Sequence, residues 1–559
     1  MKLIECVPNF SEGRDLHTIE KIASVIKNSE GVKLLDVDPG KATNRTVITF
    51  VGEPESVVNA AFLAIKTASE LIDMSKHKGE HPRMGATDVC PFIPVSDITM
   101  EETVEWSKKL AEKVGSELNI PVYLYEYAAS KPERKNLATI RSGEYEGLET
   151  KLSDPEWTPD YGNAKFNSLS GATVIGARDF LVAYNINLNT TSVKIANEVA
   201  FDVRENGRPK RENDNPTGKI LVDENGEQIR IQGTLKAVKA IGWYIEEYGI
   251  AQVSMNLTKI NETPLHLAFD EVVKSAESRG LRVTGSELIG LVPKNVLVDA
   301  GKYFLQKQKR SIGIPEEDII SIAVKTLGLG ELKSFDYKQK IIEYLIEDNQ
   351  ANKLIDLSVS GFAHETSRES PAPGGGSVAA YSGAIGAALG TMVANLSANK
   401  SGWEDRWEEF SQWAEKGQSL KDELLRLIDE DTAAFNKIMD AFRLPKSNIE
   451  ERRIRKKAIK SATKNAIRIP YKVMNTSYKA LDLLEYMAIN GNPNSISDAG
   501  VGVLSISTAV EGAYLNVRIN CKDFDDETFV SDMKEKSANL LDKTKKRCHE
   551  ILDIVYQAI

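Results

Sequence analysis

The chain has 559 residues, 41 % apolar and 27 % charged, and a net charge of −10 at pH 7. This composition suits a folded chain of about three to five domains, and its acidic balance argues against a general nucleic-acid binder, which carries a basic footprint. The four cysteines (Cys6, Cys90, Cys521 and Cys548) form no CxxC pair, which argues against a disulfide framework or a structural zinc site and for a reducing compartment.

The N-terminus, MKLIECVPNF, begins with strand-like alternation and lacks the apolar core and cleavage site of a secretory signal. A cytoplasmic protein is expected. LHTIEKIASVIKN then reads as a helix. VKLLDVDPG and RTVITFVG read as two strands separated by a loop at Pro39 and Gly40. In PESVVNAAFLAIKTASELIDM, Val58, Ala61, Ile65, Ala68 and Ile72 recur at helical spacing behind Pro54. DVCPFIPV and PVYLYEY are strand-like, with a helix near 100–117 between them. This order predicts an α/β sandwich of βαββαβ type with an added αβ, its helices on one sheet face.

The same element order returns from residue 179, in FLVAYNINL, VKIANEVAFDVREN, a two-strand stretch with a turn near Tyr248 and Gly249, PLHLAFDEVVKSAESRG and VTGSELIGLVP. The polar stretch 207–230 reads as an exposed excursion. Beyond about 353 the pattern is almost wholly helical: Ser377 to Ala398, Trp403 to Phe442, Ile449 to Ile469, and onward to the C-terminus. The expected organisation is two α/β sandwich subdomains, 1–178 and 179–335, a linker at 336–352, and an all-α helical bundle at 353–559. Residues 377–398 carry no charge and are long enough to span a membrane. They are mostly Ala, Gly and Ser, so the expectation is a buried bundle helix and no membrane span.

Five segments could carry chemistry. His77 and His81 are four apart, but Gly79 and Pro82 break a helix and the HExxH glutamate is missing. A loop histidine flanked by Glu80, Arg83 and Asp88 suits proton transfer, against the plainer reading of a structural or solvated imidazole. Asp36 and Asp38 share a strand face; one could fix the His81 imidazole, or the pair could be turn aspartates. SPAPGGGSVAA places three glycines before a helix, a tight turn or an anion site. The lysine of a nucleotide-binding phosphate loop is absent, which disfavours a phosphotransferase. Asp431 is ringed at helical spacing by Leu424, Leu427, Ile428, Ala434, Phe435 and Ile438. Burial there raises a carboxyl pKa towards acid–base use, unless a buried partner satisfies it. Asp429, near Arg426 and Asn436, is expected to be more exposed. ERRIRKKAIKSATKNAIR is a basic helix, either a solvated face or an attractive surface for a polyanion.

Taken together, ECVPNFSEGRD, LLDVDPGKATNRTVITFVG, HKGEHPRMGATDVCPFIPV, GATVIGARDFLVAYNINL, KAIGWY, AQVSMNL and GSELIGLVP make the first half resemble glutamate formimidoyltransferase. APGGGSVAA, IDEDTAAF and YLNVRIN make the second half resemble formimidoyltetrahydrofolate cyclodeaminase. In this order they resemble the bifunctional fusion of the two. The resemblance implies transfer of a formimino group between N-formimino-L-glutamate and tetrahydrofolate. It also implies cyclisation of 5-formimidoyltetrahydrofolate to 5,10-methenyltetrahydrofolate with loss of ammonia, in histidine breakdown and one-carbon metabolism. It implies a homo-oligomer using polyglutamylated tetrahydrofolate as co-substrate, without a metal. Its catalytic residues fall on His81 and Asp431, with Asp38 and Arg83 supporting. Its folate-binding residues fall on Gly162, Asn163, Ala164, Lys165, Phe166, Asn167, Ser168, Leu169, Ser170, Gly171 and Asp202, although NAK and NSLS depart from the family pattern. The competing reading is a non-catalytic folate-binding scaffold.

Overall fold

Alternation at the N-terminus becomes two short strands, β1 (Leu3–Cys6) and β2 (Asn9–Phe10). In this computed structural model, residues 2–41, 43–79, 81–214, 218–346, 353–370, 372–522 and 524–559 are described. The expectations for Glu80, for 215–217 of the polar excursion, for 347–352 of the linker and for Pro371 therefore lie outside the described residues. The chain divides into two compact units, Met1–Asp299 with Leu327–Glu347, and Ala300–Thr326 with Asp348–Ile559.

In the first unit, α1 (Leu16–Lys27), β3 (Val32–Gly40), β4 (Arg45–Gly52), α2 (Pro54–Leu71), β5 (Thr87–Ser96), α3 (Met100–Glu117), β6 (Val122–Glu126) and β7 (Thr173–Ala177) follow in order. β1 and β2 both pair antiparallel with β4 on one side and β5 on the other. β3 flanks β4, and β5, β7 and β6 are parallel. Period-two geometry then sorts the side chains. Ile4, Cys6, Phe10, Ile48, Phe50, Cys90 and Phe92 join the core under α1, α2 and α3. Their neighbours Glu5, Val7, Asn9, Arg45, Val47, Thr49, Val89 and Pro91 face the other way.

The loop expected at Pro39 and Gly40 is instead the end of β3: Pro39 opposes Thr46 and Gly40 opposes Arg45. β3 pairs only with β4, and a proline on such an edge forfeits no ladder hydrogen bond. Asp36 and Asp38 are therefore strand residues, opposite Thr49 and Val47, beyond a register shift between Leu34 and Asp36.

The second sheet, still within this unit, has four antiparallel strands in the order β9-β10-β8-β11. These are β8 (Val182–Leu188), β9 (Val238–Ile245), β10 (Ile250–Leu257) and β11 (Val283–Ile289), with α4 (Val193–Val203) and α5 (Leu265–Glu277) between them. The repeated βαββαβ order is thus present in the fold. The polar excursion adds a small ladder of Arg208–Pro209 with Arg230–Ile231.

The other unit is helical. Its long helices are α6 (Gly375–Ala398), α7 (Trp407–Arg443), α8 (Ile449–Asn490), α9 (Ile496–Asn520) and α10 (Glu527–Ala558). α8 does not stop at Ile469 but runs through Pro470, which is itself buried. Tertiary packing overrides the lost backbone donor there. α6 is long and apolar enough to cross a membrane, but most of it is buried inside the unit. Its Ala, Gly and Ser side chains face α7 and α9, where small residues allow close approach, as expected of a core helix.

Candidate active sites

The face of the seven-stranded sheet left free of helices forms one wall of a cavity of about 570 Å³. β1, β3, β4, β5 and β6 contribute Glu5, Asp36, Asp38, Arg45, Thr49, Pro91 and Tyr125, and the second sheet contributes Lys239 and Asn256. Arg141, Arg178 and Lys259 add further positive charge. The lining mixes cations with carboxylates, which suits a ligand carrying charges of both signs.

His81 lines this cavity and is half-buried. Its Nδ1 lies 2.7 Å from Pro82 O. A carbonyl oxygen only accepts, so Nδ1 carries the proton and Nε2 keeps its lone pair. Burial, together with Arg45 and Arg141, pushes the imidazole pKa below its ordinary value; Pro82 O and Asp88 pull the other way. A neutral imidazole with one open basic nitrogen is the result.

Asp88, fully buried beneath it, binds Arg45 Nη1 and Arg141 Nη2 at 2.5 Å each. Burial raises this carboxyl, but the two guanidiniums outweigh it and hold it below its ordinary range. They face His81 as fixed positive charges. Asp38 lines the same cavity. Asp36 is pushed up by burial and by the Asp38 charge beside it.

Arg83 does not line the cavity. It is buried and donates to Glu146, Glu144 and His77 Nδ1. The 162–171 segment likewise contributes no wall to the cavity; it packs behind the loop that follows His81. Ala86 N donates to Ser170 O at 2.8 Å and Ala172 N to Met84 O at 3.1 Å. Gly171 has φ +65°, and any Cβ there would collide with Met84 O. Phe166 packs on Tyr145, Asn167 Oδ1 accepts from Leu169 N and Ser170 N, and Tyr145 donates to Ser168 O. Gly162, Asn163, Ala164, Lys165 and Leu169 are exposed. Asp202, on α4, is held by Arg208, by Arg279 at 2.6 Å and by Ser275 Oγ at 2.7 Å, away from the cavity.

Glu5, Arg45 and Arg141 are among the cavity residues that escaped sequence reasoning. The available signal was a charged residue between Ile4 and Cys6 in an otherwise apolar strand. Its meaning depends on β1 being central, which only long-range pairing decides.

The second site lies in the helical unit, where Asp431 of α7 meets the first turn of α6. Ser377 Oγ lies 3.2 Å from Asp431 Oδ2 and 3.0 Å from Ile428 O. A Cβ on Gly376 would collide with the Asp431 carboxylate, so the glycine at this position allows the close approach. Burial raises the Asp431 pKa above its ordinary value, while the Ser377 hydroxyl and backbone N–H pull it down. Leu424, Leu427, Ile428 and Ala434 are buried around it, as helical spacing requires. Asp429 is half-buried, less open than expected, because its Oδ1 accepts from Leu354 N at 2.7 Å. The basic stretch of α8 is largely exposed, and its Arg453 and Lys460 sit near Glu450 and Asp525.

Comparison with known proteins matches both units, with one family match, 183–347, running through residues 300–326, which pack with the helical unit. Residues 3–178 match the family described as formiminotransferase domain, N-terminal subdomain; 183–347 match formiminotransferase domain; and 358–539 match formiminotransferase-cyclodeaminase. The formimidoyltransferase-cyclodeaminase of Mus musculus is 43 % identical, over 99 % of this chain and 98 % of its own length. The chain belongs to the formimidoyltransferase-cyclodeaminase family. Its Gallus gallus member is 44 % identical over 98 % of this chain and 97 % of its own length. A glutamate formimidoyltransferase from Streptococcus pyogenes serotype M1 is 44 % identical and covers 55 % of this chain and 94 % of its own. The single-activity relative thus aligns with part of the chain and the bifunctional ones with nearly all of it. As a member of the formimidoyltransferase-cyclodeaminase family, the chain is a bifunctional, folate-dependent enzyme, a transferase and a lyase.

Proposed function

We propose that the His81 cavity transfers the formimino group from N-formimino-L-glutamate to tetrahydrofolate, and that the Asp431 site closes the ring of the 5-formimidoyltetrahydrofolate so formed. The observation that carries this reading is a pair of opposed sites: a half-buried histidine whose pKa is pushed below its ordinary value by burial and by Arg45 and Arg141, and a poorly solvated carboxyl against Gly376 and Ser377 whose pKa is pushed above its own.

In the first site, folate N5 attacks the amidine carbon and gives a tetrahedral adduct. His81 Nε2 takes the N5 proton and returns it to the glutamate nitrogen as the old C–N bond breaks. Asp38, which lines the same cavity, is assigned to stabilise the imidazolium formed between the two steps. Arg45 and Arg141 favour its rapid return to the neutral form. Arg83 supports His81 through the loop and not by contact with substrate.

In the second site, the Asp431 carboxylic acid protonates the imino nitrogen, and its carboxylate takes the proton of N10 as N10 bonds to the same carbon. The restored acid protonates the departing amine. Ammonia leaves and the methenyl cation remains.

The exposed tip of 162–171, with Lys165, offers a cation to the glutamate tail of the folate. A polyglutamylated co-substrate fits that position, and Asp202, already held by two arginines, carries no step. The enzyme works in the cytoplasm, which its four buried free thiols support. It works as a homo-oligomer, which the exposed apolar stripe Val378, Ile385, Met392 and Leu396 on α6 supports. Both reactions run on side-chain acids and bases.

The test supplies the full chain with N-formimino-L-glutamate and tetrahydrofolate and follows methenyl-folate absorbance and ammonia. Both should appear in equal amounts. A scaffold that binds folate without turnover gives neither, and that result would end the reading.

A further inference from the structure

Glu5 sits at the centre of the seven-stranded sheet, opposite Val51 of β4 on one side and Ile93 of β5 on the other. It is 2 % exposed, and it lines the cavity. Among the described residues, no hydrogen bond or ion pair involves its side chain. Burial pushes its carboxyl up to about 7, against the pull of Arg178 and with a push from Glu343. A carboxyl this deep with no hydrogen-bond donor is costly to the fold. The cost is explicable where a ligand supplies the donors.

The ligand needs two adjacent N–H groups, since a carboxylate binds such a fork in bidentate fashion. Both substrates offer one: the amidine of N-formimino-L-glutamate, and the 2-amino-4-oxopyrimidine edge of folate, with N3–H beside the 2-amino group. Position decides between them. Asp38 opposes Val47 and Glu5 opposes Val51 on the same strand, from either side of it, so the two acids are offset by about 13 Å in the strand direction at the rise of an extended chain. The amidine carbon must meet folate N5 beside His81, at the Asp38 end. A two-ring heterocycle with a hydrogen bond at either end spans the remaining length.

We propose that Glu5 is the residue that selects the folate ring, accepting N3–H and the 2-amino group while the other ring presents N5 to His81. This rests on the His81 cavity being the transfer site.

The test measures transfer by the full chain, with tetrahydrofolate and with an analogue whose 2-amino group is replaced by methyl. Wild type should prefer tetrahydrofolate by roughly 10⁴-fold in kcat/KM, as a site built around a hydrogen-bonding edge does. Glu5→Gln should lose most of that preference through a raised KM for tetrahydrofolate, with the KM for N-formimino-L-glutamate unchanged. Glu5→Asp, which keeps the charge, should keep part of it. Equal use of the two folates by wild type overturns the proposal whether or not Glu5→Gln folds. So does a Glu5→Gln enzyme that still rejects the analogue, or one whose KM rises for N-formimino-L-glutamate instead. His81→Ala separates the two levels. If it is inactive in transfer while Glu5→Gln still discriminates, only the Glu5 assignment fails. If it transfers at the wild-type rate, the site itself is misplaced and the Glu5 assignment falls with it.

Discussion

Arg83 Nε donates to His77 Nδ1 at 3.2 Å. A ring nitrogen that accepts carries no proton, so His77 Nε2 carries it and donates to Asn44 O at 2.9 Å. His77 is thus pinned neutral between a cation and a carbonyl. Burial, with the Arg83 charge, lowers its pKa, and Asn44 O opposes them. Arg83 is pinned in turn by Glu144 and Glu146. These contacts fix the start of the loop that ends at His81, which explains how Arg83 can matter without touching the cavity.

This gives stability a definite pH dependence. His77 takes up a proton more readily unfolded than folded. Its contribution is complete above the ordinary histidine pKa of about 6.5 and is lost as pH falls through the lower folded value. His81 and His266 are depressed as well and act in the same direction. The thermal midpoint of the wild-type transferase unit should therefore drop as pH falls below about 6.5. His77→Gln should show a shallower drop in scanning calorimetry across the same range. Parallel profiles for the two proteins would argue that His77 is not pinned as described.

His81→Ala should reduce transfer by roughly 10²–10⁴-fold, the loss typical of a missing acid–base group. Ring closure of supplied 5-formimidoyltetrahydrofolate should continue. Because the His81 pKa is depressed, wild-type kcat/KM for transfer should hold on the acid side to below about pH 6.5 before it falls. An acid limb centred above that value would assign the titration to another group.

Much of the fold was legible because its signals are local. The alternation of LIEC, the helical spacing around Ile65, and the apolar ring around Asp431 each depend on a few neighbouring residues. The loop expected at Pro39, and the helical pattern given only as far as Ile469, just before Pro470, fell short for the opposite reason. A proline signals a break only when its missing N–H is needed or its ring cannot be accommodated, and both conditions are set by partners far away in sequence. The site was half legible in the same sense. Loop chemistry and helix phase single out His81 and Asp431 as candidates, but leave a structural imidazole and a partnered carboxylate open. Glu5, Arg45 and Arg141 become site residues only once β1 and β2 lie between β4 and β5. Asp429, expected to be the more exposed of the two aspartates, is half-buried because Leu354, which donates to it, lies 75 residues away in sequence.

The two activities should be separable. The first unit closes with residues 327–347, so a fragment of 1–335 cuts into it, whereas 1–347 retains it whole. Residues 1–347 alone should transfer formimino groups and release no ammonia, and the shorter fragment should be less stable to heat. A folded 1–347 fragment without transferase activity would show that the helical unit is required for the first reaction.

Asp431 and Asp429 lie two residues apart on one helix and should behave differently. The Asp431 carboxyl is held against Gly376 and Ser377 in a poorly solvated position that favours its acid form. Asp431→Asn keeps the shape and removes the titrating proton, so ammonia release should fall by at least the roughly 10²-fold expected for a lost general acid. 5-Formimidoyltetrahydrofolate should accumulate, because transfer in the other unit is untouched. Asp429 accepts one backbone hydrogen bond, from Leu354, and an asparagine oxygen can accept it equally well. Asp429→Asn should therefore cost a few-fold at most. Gly376→Ala gives an independent check: its methyl would displace the Asp431 carboxylate, so it should resemble Asp431→Asn in activity while leaving the acid in the sequence. The measurement is methenyl-folate formation from supplied 5-formimidoyltetrahydrofolate by all three variants, with folding followed by circular dichroism. An active Asp431→Asn beside an inactive Asp429→Asn would move the acid two residues along α7 and overturn the assignment.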